Sequence, residues 1–153
     1  MRIILLIIFL LCFSVCANAQ EIVVDFNGIS WGAEISSLNN MVSKGVDKSN
    51  PALETFIKDN EVHEWEGVRY KNADYLFFSR RLGMVALTVE NKELKALRLK
   101  LNDLVKKGTE LGGGGYCWSD GKLNIFIFSG GGNSIVWFAH SDFMTRAPLC
   151  RKK

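Results

Sequence analysis

Two histidines and the acidic residues near them are the side chains of this sequence that could do acid–base or metal chemistry. Histidine is the side chain that changes charge closest to neutral pH, and the chain has His63 and His140. In extended segments, Glu61 shares a face with His63, and Asp142 shares a face with His140. These four groups would form a two-histidine, carboxylate metal site if their strands were neighbours. Nothing in the sequence brings the strands together, so surface histidines are favoured, and a metal-dependent or hydrolytic site at His63 or His140 is the alternative.

Glycine runs in the C-terminal half do not complete a motif for binding a cofactor. A phosphate-binding loop needs Gly-Lys followed by Ser or Thr, but Leu123 follows Gly121 and Lys122. The runs at 112–115 and 130–132 also fail to complete G-x-G-x-x-G. The nearby serines, Ser119, Ser129 and Ser141, do not lie in a nucleophile elbow. The sequence therefore predicts turns at both runs, no cofactor and no catalytic residue.

Aromatic side chains are the other group that could carry a function, here by binding. Most of them fall at alternating positions of predicted strands, which favours the core. If one face of the sheet has no helix on it, several of them would form an exposed platform for a protein, peptide or envelope ligand. The residues predicted for this platform are Tyr70, Tyr75, Phe77, Phe126 and Phe128.

The N-terminus has the composition of a secretory signal peptide. Arg2 precedes an apolar run at 3–15, and the small residues Ala17-Asn18-Ala19 follow it. A helix of about 13 residues reaches only about 20 Å, whereas a bilayer core is about 30 Å thick. An uncleaved anchor is therefore disfavoured, and so is lipidation of Cys16, because β-branched Val15 stands where a lipobox has a small residue. We predict a signal peptide at 1–19 and a single domain at 20–153.

Cysteine usage then points to one disulfide. Cys12 and Cys16 would leave with the signal peptide, and Cys117 and Cys150 would remain. An even pair in an oxidising compartment predicts a disulfide between Cys117 and Cys150. Closing a loop of about 34 residues would stabilise the fold by about 3 to 4 kcal/mol. A metal pair or a reactive thiol is the alternative, but neither cysteine belongs to a C-x-x-C motif.

The charge and hydropathy of the chain exclude two classes of partner. Its net charge is +3, and removing Arg2 with the signal peptide lowers it to +2. This balance predicts no binding of nucleic acid. No later stretch approaches the ~18 apolar residues of a membrane span. The chain also lacks an Asn-x-Ser/Thr glycosylation site, so we predict a periplasmic or secreted bacterial protein with no membrane span after cleavage.

The spacing of apolar residues predicts that the chain has two halves, and that in each half a helix is followed by strands. In the first half, apolar residues recur at helical spacing over 35–42, and Gly45 could cap the helix. Residues 51–57 fit a second short helix, with a strand as the alternative. A short strand is also predicted at 22–26. Alternating segments at 68–71, 75–79 and 84–89 then predict a strand meander, with turns at 72–74 and 81–83.

The second half contains the clearest predicted helix, at 92–107. Its leucines form one stripe, Asn91 could cap its start, and Gly108 could end it. Strands are predicted at 123–128 and 134–139, after a strand-like stretch around Cys117. Helices on one side of an antiparallel sheet make an α+β fold, a two-layer sandwich with two main helices.

Residues 26–32 (FNGISWG) fit an F-x-G-x-x-W-G opening, followed by YLFF at 75–78, LGMV at 82–85 and a leucine-rich helix. With these motifs the chain resembles small exported bacterial proteins of unknown function. The resemblance implies an exported compartment and this fold, and no activity. The sequence as a whole therefore predicts a non-enzymatic binding or interaction module.

Overall fold

The computed structural model describes residues 25–105 and 108–143, and these build a mainly β protein with one α-helix. Eight strands form one antiparallel sheet in the order β3-β4-β7-β8-β12-β11-β10-β9, and β1-β2 and β5-β6 form two small hairpins. The helix is α1 (Leu94–Val105). The strands are β1 (Asp25–Phe26), β2 (Ile29–Ser30), β3 (Met41–Val46), β4 (Leu53–Lys58), β5 (Glu64–Trp65), β6 (Val68–Arg69), β7 (Asn72–Phe78), β8 (Arg81–Glu90), β9 (Thr109–Leu111), β10 (Gly115–Ser119), β11 (Leu123–Gly130) and β12 (Asn133–His140).

The predicted α+β sandwich with two main helices is wrong, because the first predicted helix does not form. Residues 35–42 instead contain a short 3₁₀ turn at Ile35–Ser37 and the start of β3. Asn40 lies between them with φ of 62°, a left-handed conformation that an α-helix cannot continue through. The apolar residues at helical spacing therefore belong to two different elements, and the proposed likeness of the two halves fails with the helix.

The second predicted helix, at 51–57, is the strand β4, which was the alternative. Its β-branched and aromatic residues, Thr55, Phe56 and Ile57, suit a strand better than a helix. Gly45 caps no helix either. It lies in the edge strand β3 with φ of 119°, where a bulge shifts the pairing with β4 between Ser43 and Gly45.

Of the three strands predicted for the meander, those at 75–79 and 84–89 are confirmed as the paired strands β7 and β8. The strand predicted at 68–71 falls on β6, which pairs with β5 in a separate hairpin, so β4 and not this segment is the neighbour of β7. Both predicted turns are wrong. Residues 72–74 begin β7 and residues 81–83 begin β8. The chain reverses at Ser79 and Arg80, whose φ values of 48° and 71° fit the type I′ turn of a two-residue hairpin. Ser-Arg lacks the Asn-Gly signature of such a turn, so the sequence did not mark it.

The predicted helix at 92–107 is confirmed as α1, preceded by a 3₁₀ turn at Asn91–Glu93. Leu97, Leu101 and Val105 are its buried stripe. The residues that flank it have other roles than those predicted. Asn91 bonds the β11-β12 hairpin, and Gly108 is required because a Cβ there would overlap the Trp118 indole.

The sheet has two faces that differ in what covers them. We call inner the face on which α1 and the two small hairpins pack, with core residues such as Val85, Ile127 and Phe138. We call the opposite face outer. On it the described chain places only the turn at Ser141–Phe143, next to β8. The predicted signal peptide at 1–19, Cys150 and the chain beyond 143 lie outside the described residues.

Candidate functional site

An apolar patch on the outer face of β11 and β12 is a contiguous group of exposed large apolar side chains that contains two aromatic rings. We call it the outer patch, and it consists of Phe128, Ile135 and Trp137. Their exposed fractions are 44%, 45% and 37%. Phe128 lies directly opposite Ile135, and its ring meets Trp137 edge-on at 5.2 Å between centroids. The three side chains therefore form one continuous surface.

The hairpin that carries the outer patch is held at its tip by polar bonds. Gly131 and Gly132 form its two-residue turn, and Gly131 has φ of 56°. The Asn91 amide donates to the Gly131 carbonyl at 2.8 Å. The buried Ser134 hydroxyl donates to the Asn91 amide oxygen at 2.9 Å. These bonds join the hairpin to the 3₁₀ turn that precedes α1 and fix the position of the outer patch.

The sequence placed the binding platform on five residues, and the structure leaves one of them exposed. Phe128 is in the outer patch. The other four predicted residues are at most 5% exposed: Tyr70, Tyr75, Phe77 and Phe126. Tyr75 and Phe77 point into the core from β7, and Phe126 lies beside the outer patch at 2% exposure. Four of the five predicted side chains therefore present no surface to a partner.

Ile135 and Trp137 complete the outer patch and were missing from the predicted platform. The sequence of β12 alternates, with Ser134, Val136 and Phe138 buried on the inner face. That alternation separates the two sets of residues. It does not show which set faces outward, because both sets contain large apolar side chains. The position of α1 supplies the missing information.

A polar cluster centred on Glu61 is the second candidate. The Tyr75 hydroxyl donates to the Glu61 carboxylate, and the Asn27 amide donates to the same oxygen at 3.2 Å. The Asn27 amide also donates to the Tyr70 hydroxyl at 2.9 Å, and Tyr70 donates to the Val62 carbonyl at 3.1 Å. Burial, and after it the charge and hydrogen bonding of the Glu61 carboxylate, raise the pKa of both tyrosines above the ordinary value near 10. Both hydroxyls therefore stay protonated and act as donors.

An open cavity of about 290 Å³ adjoins this cluster. Its lining is mostly polar and contains both signs of charge: Asn27, Lys58, Asn60, Glu61, Val62 and Glu64. Such a cavity can hydrogen-bond small polar molecules. The cluster also has a structural role, because its bonds tie the β1-β2 hairpin and the segment before β5 to β7.

The two histidines lie in different surroundings. His63 is exposed, and its ring stacks on Tyr70 at 5.4 Å between centroids. His140 ends β12 between the rings of Trp31 and Phe143, with its Nδ1 atom 3.7 Å from the Asp142 carboxylate. Within residues 25–105 and 108–143, no three His, Cys, Asp or Glu side chains group as metal ligands. The described residues therefore do not bring His63, His140 and their neighbouring carboxylates together as the metal site that was the alternative.

Cys117 lies on the outer face of β10, and its side chain is buried at 1% exposure. Its predicted partner, Cys150, lies outside the described residues, so the disulfide stays a prediction. Cys117 is aligned with Phe126 on the neighbouring strand. The predicted disulfide would therefore start from the same face as the outer patch.

Comparison with known proteins adds no assignment to this geometry. In the part of the chain that the structure describes, no helix has the length and apolar character needed to cross a membrane. No protein-family model, no curated protein and no solved structure matches this chain.

Proposed function

We propose that this chain is an exported, non-enzymatic interaction protein that binds a protein, peptide or envelope ligand through the outer patch. The observation that carries the proposal is the continuous apolar surface of Phe128, Ile135 and Trp137 on a hairpin held in place at its tip. Single exposed apolar residues are ordinary on protein surfaces, but a contiguous group with two aromatic rings is typical of interaction sites. Aromatic residues are also enriched where partners bury surface.

The compartment is part of this proposal. The leader at 1–19 and the resemblance to exported bacterial proteins support a periplasmic or secreted location. If the leader is cleaved after Ala19, the mature chain begins at Gln20. N-terminal sequencing of protein recovered from cells measures this directly, and a chain that begins at Met1 would contradict the export.

The enzymatic alternative has less support than the binding proposal. It uses His63 or His140, and each histidine contacts aromatic rings in a different part of the fold. His140 does have a nearby carboxylate, Asp142, but that group is mostly exposed and 3.7 Å away. A base oriented for catalysis needs a partner within hydrogen-bond reach.

Binding to envelope fractions of the source cell tests the proposal. The test compares the wild type with a variant that carries Phe128→Ser, Ile135→Ser and Trp137→Ser. We expect saturable binding by the wild type and a loss of at least about tenfold in affinity for the variant, because aromatic anchors dominate interface energies. Far-ultraviolet circular dichroism verifies that the variant is folded.

The matched control is Leu99→Ser, which removes an exposed leucine from α1, away from the outer patch. It should bind as the wild type does. Equal binding by all three proteins, or no binding by the wild type, would contradict the proposed role of the outer patch.

A further inference from the structure

The cavity beside the polar cluster centred on Glu61 has a lining that suits a small polar ligand. Its volume is about 290 Å³. That is at the lower end of the range for small-molecule pockets, which is about 300 to 1,000 Å³. Of the six described residues that line it, Val62 is apolar and the other five are polar. Pockets for larger ligands are mostly apolar, so this lining favours a small ligand with several polar groups.

The Glu61 carboxylate is held in place and has one oxygen to spare. The Tyr75 hydroxyl and the Asn27 amide both donate to Oε1. Tyr75 belongs to the interior strand β7 and is fully buried, so it holds the carboxylate at a fixed position. Among the described residues, no group donates to Oε2. Glu61 therefore brings to the cavity a positioned negative charge with an unused acceptor.

Lys58 brings the opposite charge to the same cavity. It is the last residue of β4, two positions after Phe56, which is aligned with Tyr75. Residues two apart share one face of a strand, so Lys58 starts from the face on which Tyr75 binds Glu61. Within the described chain, the Lys58 ammonium forms no ion pair, with Glu61 or with any other carboxylate. Two opposite charges that line one cavity without pairing leave room for a ligand that carries both charges.

Glu64 and Asn60 complete the polar lining at the exposed side of the cavity. Neither side chain bonds another described residue. The charged groups of the lining are therefore the carboxylates of Glu61 and Glu64 and the ammonium of Lys58, with a formal net charge of −1. A ligand that matches all three groups has two positive charges and one negative charge.

We propose that this cavity binds a free basic α-amino acid. The α-carboxylate of the ligand pairs with Lys58, its α-ammonium with Oε2 of Glu61, and its side-chain ammonium with Glu64. Charge-assisted hydrogen bonds of this kind are roughly twice as strong as neutral ones. A basic residue within a peptide lacks both charged α-groups, so the ligand is the free amino acid. The site goes beyond the proposed function, because Glu61 binds Tyr75 on the inner face and the outer patch lies on the opposite face.

Isothermal titration calorimetry with a matched set of ligands tests the ligand class. The probes are L-lysine, L-norleucine, which lacks the side-chain ammonium, cadaverine, which lacks the carboxylate, and L-glutamate, which has the opposite net charge. We expect lysine to bind with a Kd of about 1 mM or lower, and norleucine and cadaverine to bind about tenfold more weakly. Glutamate should not bind. No saturation by lysine, or equal binding of lysine and glutamate, would overturn the proposal.

Two substitutions in the cavity test the orientation of the ligand. Lys58→Met should weaken lysine and norleucine about tenfold and leave cadaverine unchanged, because cadaverine has no carboxylate to lose its partner. Glu64→Gln should weaken lysine and cadaverine by a similar factor and leave norleucine unchanged. Neither side chain bonds a described residue, so both variants should fold, which far-ultraviolet circular dichroism verifies. If Lys58→Met does not fold, Glu64→Gln alone decides the outcome.

Lys95→Met is the matched control, because Lys95 is an exposed lysine of α1 that does not line the cavity. It should bind lysine as the wild type does, and so should the variant with three serines in the outer patch. Unchanged lysine affinity in the cavity variants, or an equal loss in Lys95→Met, would overturn the site.

Discussion

The inner and outer faces of the sheet carry similar aromatic residues in different environments. On the inner face, Phe26, Trp65 and Phe138 have ring centroids 4.8 to 6.2 Å apart and are almost completely buried. On the outer face, Phe128 and Trp137 are 5.2 Å apart and stay more than a third exposed. Ring contacts alone therefore do not make a core. The element that covers a face decides whether its aromatic residues stabilise the fold or remain available to a partner.

The largest expected difference is between neighbouring residues of β12. Phe138→Ala should lower the free energy of unfolding by about 3 to 5 kcal/mol, because it leaves a cavity among buried rings. Trp137→Ala should cost about 1 kcal/mol, since it removes one exposed edge-on ring contact. Urea denaturation of the wild type and of both variants measures these changes in the free energy of unfolding. Equal losses would show that the outer face is as closely packed as the inner face.

The next effect concerns the polar cluster beside the inner aromatic residues. Glu61→Leu removes the acceptor of the buried Tyr75 hydroxyl, and leaving that group unpaired should cost about 1 to 3 kcal/mol. Glu110→Leu is the control, because Glu110 is an exposed carboxylate on β9. Thermal unfolding compares the two variants. A Glu61→Leu protein as stable as the control would argue against a stabilising role of the cluster.

Alkaline pH should weaken the same cluster. The pKa of Tyr75 is raised in the folded state, so below pH ~10 both states keep its proton and the contribution of this tyrosine to stability does not change with pH. Above pH ~10 only the unfolded state ionises, and the free energy of unfolding should fall by about 1.4 kcal/mol per pH unit for each such tyrosine. Urea unfolding between pH 8 and 11 measures the slope. Tyr75→Phe should reduce it by one such contribution, and an unchanged slope would contradict the assignment.

The smallest effect is expected at the edge of the outer patch. Phe128→Ser should change the free energy of unfolding by less than about 1 kcal/mol, because nearly half of the side chain is already in water. The same substitution should reduce binding of the partner. Chemical denaturation and the envelope binding assay separate the two effects. A loss of stability as large as that of Phe138→Ala would mean that Phe128 belongs to the core.

The C-terminal half of the fold was predictable because its signals are local. The leucine stripe of α1 and the alternation in β11 and β12 each lie within one element, and all three were predicted. The prediction of the N-terminal half failed because one pattern, the apolar residues at helical spacing over 35–42, runs through two elements. Asn40 interrupts that pattern with a backbone conformation that Asn tolerates and that residue type alone does not reveal.

The site was predictable only in part, for a different reason. Phe128 was identified, but Tyr75 and Phe77 were assigned to the open face although they are buried in the core on the inner face. Central strands with apolar residues on both faces give no signal for which side is covered. Ile135 and Trp137 become recognisable only once it is known that other elements cover Val136 and Phe138 on the inner face.

The bulge in β3 limits how molecules of this protein could assemble. Strand β3 is one border of the sheet, interrupted at Gly45, with Lys44 bonded to Asp74 at 2.7 Å; the other border, β9, has only three residues. Kinked, charged or very short border strands are poor templates for a strand from another chain. Recruitment through the outer patch would therefore be face-to-face, and growth into filaments by adding strands at the borders is disfavoured.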